Sequence, residues 1–160
     1  MESEWELATS FYQASREVVL AVVTLKGYAL YYASKEFQDD KEVVMAAVDS
    51  CGTALEFASD DLRDDKDVVL TAVNSDGFAL KYASKALQDD KEVVLSAVIS
   101  NNYAFPYASA GLREDKEVVF AAIVSHGFDL DLDFTSDTCF DDKDLAFDRN
   151  LFDSVTKAIQ

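Results

Sequence analysis

The string Asp40-Lys41-Glu42-Val43-Val44 returns as Asp65-Lys66-Asp67-Val68-Val69, as Asp90-Lys91-Glu92-Val93-Val94 and as Asp115-Lys116-Glu117-Val118-Val119. The interval is 25 residues each time, and a weaker copy, Ser15-Arg16-Glu17-Val18-Val19, stands one interval earlier. A fixed period of this size means supersecondary units that cannot bury their apolar faces alone and must stack on one another. The register runs without insertion from about residue 15 to residue 128, so most of the chain is committed to one architecture. The framework positions of such a stack describe a surface and name no reaction.

Residues 65–89, DKDVVLTAVNSDGFALKYASKALQD, show the unit most clearly. The first half reads as a helix that begins at an acidic pair, where an Asp side chain can accept from the free amides of the first turn. Asp39 with Glu42 and Asp89 with Glu92 have the spacing of a capping box, and which acid of each pair is the cap stays open. Val68, Val69, Ala72 and Val73 form one broad apolar face, and Ala47, Ala72, Ala97 and Ala122 allow close approach of the next unit. A helix this short is not stable by itself. Its predicted end is Gly27, Gly52, Gly77 or Gly127, with Asn102 as the substitute, in the left-handed conformation that glycine adopts without steric cost. The second half, Ala79 to Leu87, reads as a short α- or 3-10 helix with Leu80, Ala83 and Leu87 on one face; Pro106 suits a first turn, which places the start of that helix near it.

The predicted fold is therefore all-α: short two-helix repeats, 15–39, 40–64, 65–89, 90–114 and a partial 115–128, stacked into a compact α-solenoid within a single domain spanning 1–160. Residues 1–14, with Trp5, Leu7, Ala8, Thr9 and Tyr12, fall where a preceding second helix would lie and are expected to form an N-terminal half-repeat cap. After Phe128 the pattern fails. Residues 129 to about 142 read as an acidic loop, and Leu151, Phe152, Val155 and Ile159 as the apolar face of a C-terminal capping helix in 129–160.

The string DKEVVLxAV, then Gly, then xALxYASxxLxxD, resembles the tandem repeat of the DUF4116 family, a family of unknown function. The resemblance covers roughly residues 15 to 128, departing in the 90–114 repeat at Asn102, Phe105 and Pro106 and again beyond Asp129. It implies a helical repeat module found in multi-copy arrays and carries no catalytic residue to this chain.

Composition narrows the partners. A formal charge of -17 would repel phosphate backbones and anionic membrane surfaces, so nucleic acid is not expected and a basic protein or a cation is the better match. No run approaches the ~20 apolar residues that span a bilayer, and the opening Met-Glu-Ser-Glu-Trp-Glu lacks a positively charged leader. The chain as written reads as cytoplasmic, with an organelle open if a presequence has been removed. Cys51 and Cys139 have no ligand-spaced companions, so neither a disulfide framework nor a zinc site is indicated.

Four features carry the candidate functions. Aromatic residues pair at i, i+4 along the second helix, Tyr28 with Tyr32, Phe78 with Tyr82 and Tyr103 with Tyr107, and Phe57 pairs with Thr53. Stacking lines them into a ladder that either packs repeats together or presents tyrosine edges to a partner. The pairs Asp39/Asp40, Asp64/Asp65, Asp89/Asp90 and Glu114/Asp115 align into a negative stripe that is either a row of helix caps or a steering surface for a basic partner, partly offset by the lysine that follows each. Asp129, Asp131, Asp133, Thr135 and Asp137 alternate as calcium-loop ligands do, but Phe134 stands where the turn needs Gly and Phe140 where a bidentate Glu should close the shell. His126 is the only histidine, and it lacks the companions that general-base or metal chemistry needs. The reading is a non-enzymatic protein-binding scaffold or small subunit of a larger assembly, without cofactor. The alternative is an acidic divalent-cation-binding protein using residues 129–142.

Overall fold

The computed structural model describes residues 15–125. Five long helices recur at the 25-residue interval: Arg16–Leu25 (α1), Lys41–Ser50 (α2), Lys66–Ser75 (α3), Lys91–Ser100 (α4) and Lys116–Val124 (α5). Between them lie four six-residue 3-10 helices, Gly27–Tyr32 (η1), Gly52–Phe57 (η2), Gly77–Tyr82 (η3) and Asn102–Tyr107 (η4). Each long helix packs on the next long helix and each 3-10 helix on the next 3-10 helix, so the chain builds two parallel layers. Among the described residues there is no strand. The expected half-repeat cap in 1–14 and the loop and capping helix in 129–160 lie outside the described residues.

The valine pairs form the core between these layers. Val43, Val44, Ala47 and Val48 in α2 are fully buried, as are Val68, Val69, Ala72 and Val73 in α3, Val93, Val94, Ala97 and Val98 in α4, and Leu30, Leu55 and Leu80 from the 3-10 layer. Full burial of one such side chain is worth about 1.5–3 kcal/mol. No repeat could supply this enclosure alone, because α2, α3 and α4 each touch both their own 3-10 helix and that of the repeat before.

The second acid of each pair is the helix cap. The Oδ1 atoms of Asp40, Asp65, Asp90 and Asp115 accept from the amides two and three residues on, at 3.0–3.3 Å. The capping-box spacing of Asp39 and Asp89 is therefore not used; these residues lie in the turn before the cap. The long helices end with Cys51, Asp76 and Asn101 in ordinary extended backbone, with φ of -153°, -151° and -157°. The glycines that follow do not take the left-handed conformation expected from the sequence. Their role is proximity. A Cβ on Gly27, Gly52 or Gly77 would collide with the carbonyl oxygen of Ala47, Ala72 or Ala97 in the next repeat. Asn102 takes the same place in the fourth repeat and is buried, with its Oδ1 unpartnered among the described residues.

The second half of the repeat divides in two. The 3-10 helix ends at Tyr32, Phe57, Tyr82 or Tyr107, one extended Ala-Ser step follows, and a single turn closes the unit at Lys35–Gln38, Asp60–Arg63, Leu87–Asp89 or Ala110–Arg113. Pro106 is the fifth of six residues in η4, near its end rather than in a first turn, and is exposed there. The Tyr-Ala-Ser motif of the turn is inter-repeat hardware. The alanine is buried, and the amides of Ser59, Ser84 and Ser109 donate to Gln38, Arg63 and Gln88 carbonyls of the preceding repeat at 2.9 Å. The hydroxyls of Ser84 and Ser109 donate to Asp64 and Asp89.

Candidate functional site

The 3-10 layer carries the aromatic residues, and its geometry changes which of them meet. Three residues per turn bring i and i+3 into line, so Tyr31, absent from an i, i+4 reading, stacks on Tyr28 with centroids 6.2 Å apart and planes 25° apart. Across the repeat boundary Tyr28 meets Phe57 edge-on at 4.9 Å, and Tyr31 meets the same ring at 5.1 Å. Tyr32 closes the group against Tyr31 at 4.9 Å. Two repeats on, Phe78 meets Tyr107 edge-on at 5.4 Å and its own Tyr82 at 6.5 Å. The rule is first ring of one repeat against last ring of the next. Thr53, in the first-ring position, breaks it between the second and third repeats.

Beside that gap, burial first, and then the nearby Glu56 carboxylate, hold the Tyr82 hydroxyl above the usual phenol range. Tyr28, Tyr32, Phe57, Phe78, Tyr82 and Tyr107 thus lie in one interrupted face, whereas Tyr103, 67 % exposed, takes part in no ring pair among the described residues. The face is uneven. Phe57, Tyr82 and Tyr107 are half-buried against the core, while Tyr28 and Tyr31 are each 55 % exposed. A cleft of about 650 Å³ opens beside the exposed group, lined by Tyr31, Tyr32, Phe57, Glu56, Asp60 and Arg63 among others.

Charge is arranged differently from the sequence reading. Arg16, Lys41, Lys66 and Lys91 each reach the cap of the following repeat: Arg16 to Asp40 at 2.7 Å, Lys41 to Asp65 at 2.7 Å, Lys66 to Asp90 at 2.8 Å and Lys91 to Asp115 at 3.0 Å. Each also meets the acid two residues further on, Glu42, Asp67, Glu92 or Glu117. The hydrogen bonds from Arg16, Lys41 and Lys66 hold Asp40, Asp65 and Asp90 below the ordinary carboxylate range. At Asp115 burial pushes upward and is outweighed by Lys91 and the two capped amides. The caps are therefore occupied twice over, by their own helix and by the neighbour's cation.

Position 38, 63, 88, 113 alternates Gln, Arg, Gln, Arg, a regularity legible at the 25-residue interval but not singled out by motif. The buried Gln38 amide donates to Leu30 O at 3.0 Å, and that of Gln88 to Leu80 O, Lys81 O and Ala83 O at 3.0–3.3 Å, tying off the 3-10 helix. The family described as Domain of unknown function (DUF4116) matches residues 15–63, 65–113 and 90–137. This chain belongs to that family. Each match spans close to two of the 25-residue repeats, and the first two, 15–63 and 65–113, each hold one Gln turn and one Arg turn. Neither a curated protein nor a solved structure matches the chain. The residues that mark the DUF4116 pattern, the capping Asp, the Lys, the valine pair, the Gly and the Ala-Ser step, all serve contacts between repeats.

Asp129, Asp131, Asp133 and Asp137 lie outside the described residues, as does His126. Among the described residues no group of three or more His, Cys, Asp or Glu side chains is placed to hold a metal ion, and no helix is long and apolar enough to cross a membrane.

Proposed function

We propose that this protein is a non-enzymatic binding scaffold, or a small subunit of a larger assembly, that meets its protein partner through the 3-10 face. The observation that carries the reading is the cluster Tyr28, Tyr31 and Tyr32 standing exposed around Phe57, on a framework whose other recurrent residues are spent on holding repeats together. Tyrosine gives large contact area at low entropic cost and keeps one polar edge for a hydrogen bond, which is why it is favoured in interfaces. A rigid stack fixes the spacing of such contacts along a partner.

The test is affinity capture from source-organism extract with the full chain, its Tyr28→Ala/Tyr31→Ala variant and its Tyr82→Ala/Tyr107→Ala variant. A stoichiometric protein held by the wild type and lost from the first variant, at unchanged melting temperature, supports the reading. The second variant is expected to lose stability because its rings are half-buried. Equal capture by the wild type and the Tyr28/Tyr31 variant sinks the proposal.

A further inference from the structure

The third repeat shows what an aromatic pair of this face accepts. Lys81 Nζ lies 5.5 Å from the Phe78 ring centroid and 5.3 Å from that of Tyr82, within the ~6 Å at which a cation is drawn to a ring face. One 25-residue interval at a time, the residues equivalent to Phe78, Lys81 and Tyr82 are Tyr28, Tyr31 and Tyr32 in the first repeat. There the covering cation is replaced by another ring. Among the described residues no lysine or arginine sits over Tyr28, Tyr31 or Tyr32. The cations that line the adjoining cleft are engaged: Lys35 Nζ donates to Gln38 Oε1 at 2.9 Å, and the Arg63 guanidinium is paired with Asp60.

We infer that the Tyr28, Tyr31, Tyr32 and Phe57 cluster is a receiving site for a lysine or arginine side chain of a basic partner segment, with the Glu56 carboxylate at the cleft as its counter-charge. The inference rests on the scaffold reading and specifies the partner's chemistry. A ring draws a cation to its face, where its quadrupole is negative, and Tyr28, Tyr31 and Tyr32 keep part of their surface open to solvent. The chain's charge of -17 steers a cation toward the molecule, and the cap acids cannot compete for it because Arg16, Lys41, Lys66 and Lys91 already occupy them. Preference for a basic partner therefore belongs to the 3-10 face rather than to the cap acids.

The experiment titrates the full, isotope-labelled chain with acetyl-tetralysine amide and, separately, acetyl-tetraglutamine amide, following backbone amide shifts by NMR. The expected result is saturable shifts confined to residues 27–32 and 52–57 with the lysine peptide and none with the glutamine peptide. Tyr31→Lys, which installs the covering cation of the third repeat, and Glu56→Gln are each expected to weaken binding roughly five- to tenfold. Both sites are exposed, and a melting curve confirms that each variant is folded. No saturable shift, shifts centred on the cap residues, or binding unchanged in both variants overturns the inference. Equal response to the glutamine peptide also overturns it while leaving the aromatic scaffold reading intact, since that reading stands or falls on the capture experiment.

Discussion

Replacing Gly77 by alanine separates two explanations of the recurrent glycine. If its role were left-handed backbone at a helix end, the cost would be local to the turn. The structure places the cost between repeats instead. A Cβ there would meet the Ala97 carbonyl oxygen first, and would stand 2.8 Å from Asn101 N and 2.9 Å from the Ala97 carbonyl carbon, where ordinary contact begins at 3.4 Å. All three are main-chain atoms, so no rotamer change relieves the clash and α4 must retreat by more than the 0.6 Å that the Asn101 contact alone requires. A gap of 0.5–1 Å forfeits a quarter to a half of each dispersion contact across it. That interface carries the fully buried valines of α3 and α4, so the expected loss is about 3 kcal/mol, the upper end of the range for overpacking. Against a total of roughly 5–15 kcal/mol for a domain, this is enough to uncouple neighbours and to broaden or split the unfolding transition. Urea denaturation followed by circular dichroism measures it. Gly111→Ala is the control, because nothing lies within 4 Å of a Cβ there and the residue is in a helical turn; it should be neutral or stabilising by up to about 1 kcal/mol. A Gly77→Ala loss below about 0.5 kcal/mol, or a Gly111→Ala loss as large, would refute the close-approach account, since surface changes alone stay within that range.

Other outcomes follow from the inter-repeat contacts. Asp90→Ala should cost about 1 kcal/mol through the lost cap, whereas Asp90→Asn keeps an acceptor for the amides and should lose only the Lys66 pair, a loss relative to wild type that disappears in molar salt. Because Asp40, Asp65 and Asp90 have their folded pKa values lowered from 3.8, their contribution is present above that pH and is lost as pH falls through the lower folded values; Lys66→Met should move the acid-unfolding midpoint to higher pH. Gln88→Leu removes the side-chain donor to Leu80 O, Lys81 O and Ala83 O, of which Leu80 O keeps the Ala83 amide, and should cost about 1–3 kcal/mol by chemical denaturation, while Gln88→Arg, the residue of the alternate repeats, should cost less. In a spectrophotometric titration Tyr82 should ionise above the usual phenol range, and Glu56→Gln should bring its titration earlier; identical curves would mean that the carboxylate does not act on it.

Read by itself, the sequence determined the repeat, its 25-residue register, the five long helices and the valine core, because these rest on periodicity and on apolar residues that must leave water wherever the chain goes. It also placed most of the aromatic face, since residues recurring at a fixed interval in a stack must share a side. Tertiary structure decided what those residues touch. Gly77 looks like a helix stop along the chain and proves to be a gap for the Ala97 carbonyl, an atom twenty residues away. Asp89 and Asp90 are equivalent as letters, yet one caps its helix and binds Lys66 while its neighbour accepts from Ser109. Tyr31 joins the exposed cluster only because the second helix winds as 3-10, a choice of pitch in which i+3 replaces i+4. That pitch, like the uses of the glycine and the acids, is set by packing against the next repeat, and packing is a relation between residues that the linear order does not place side by side.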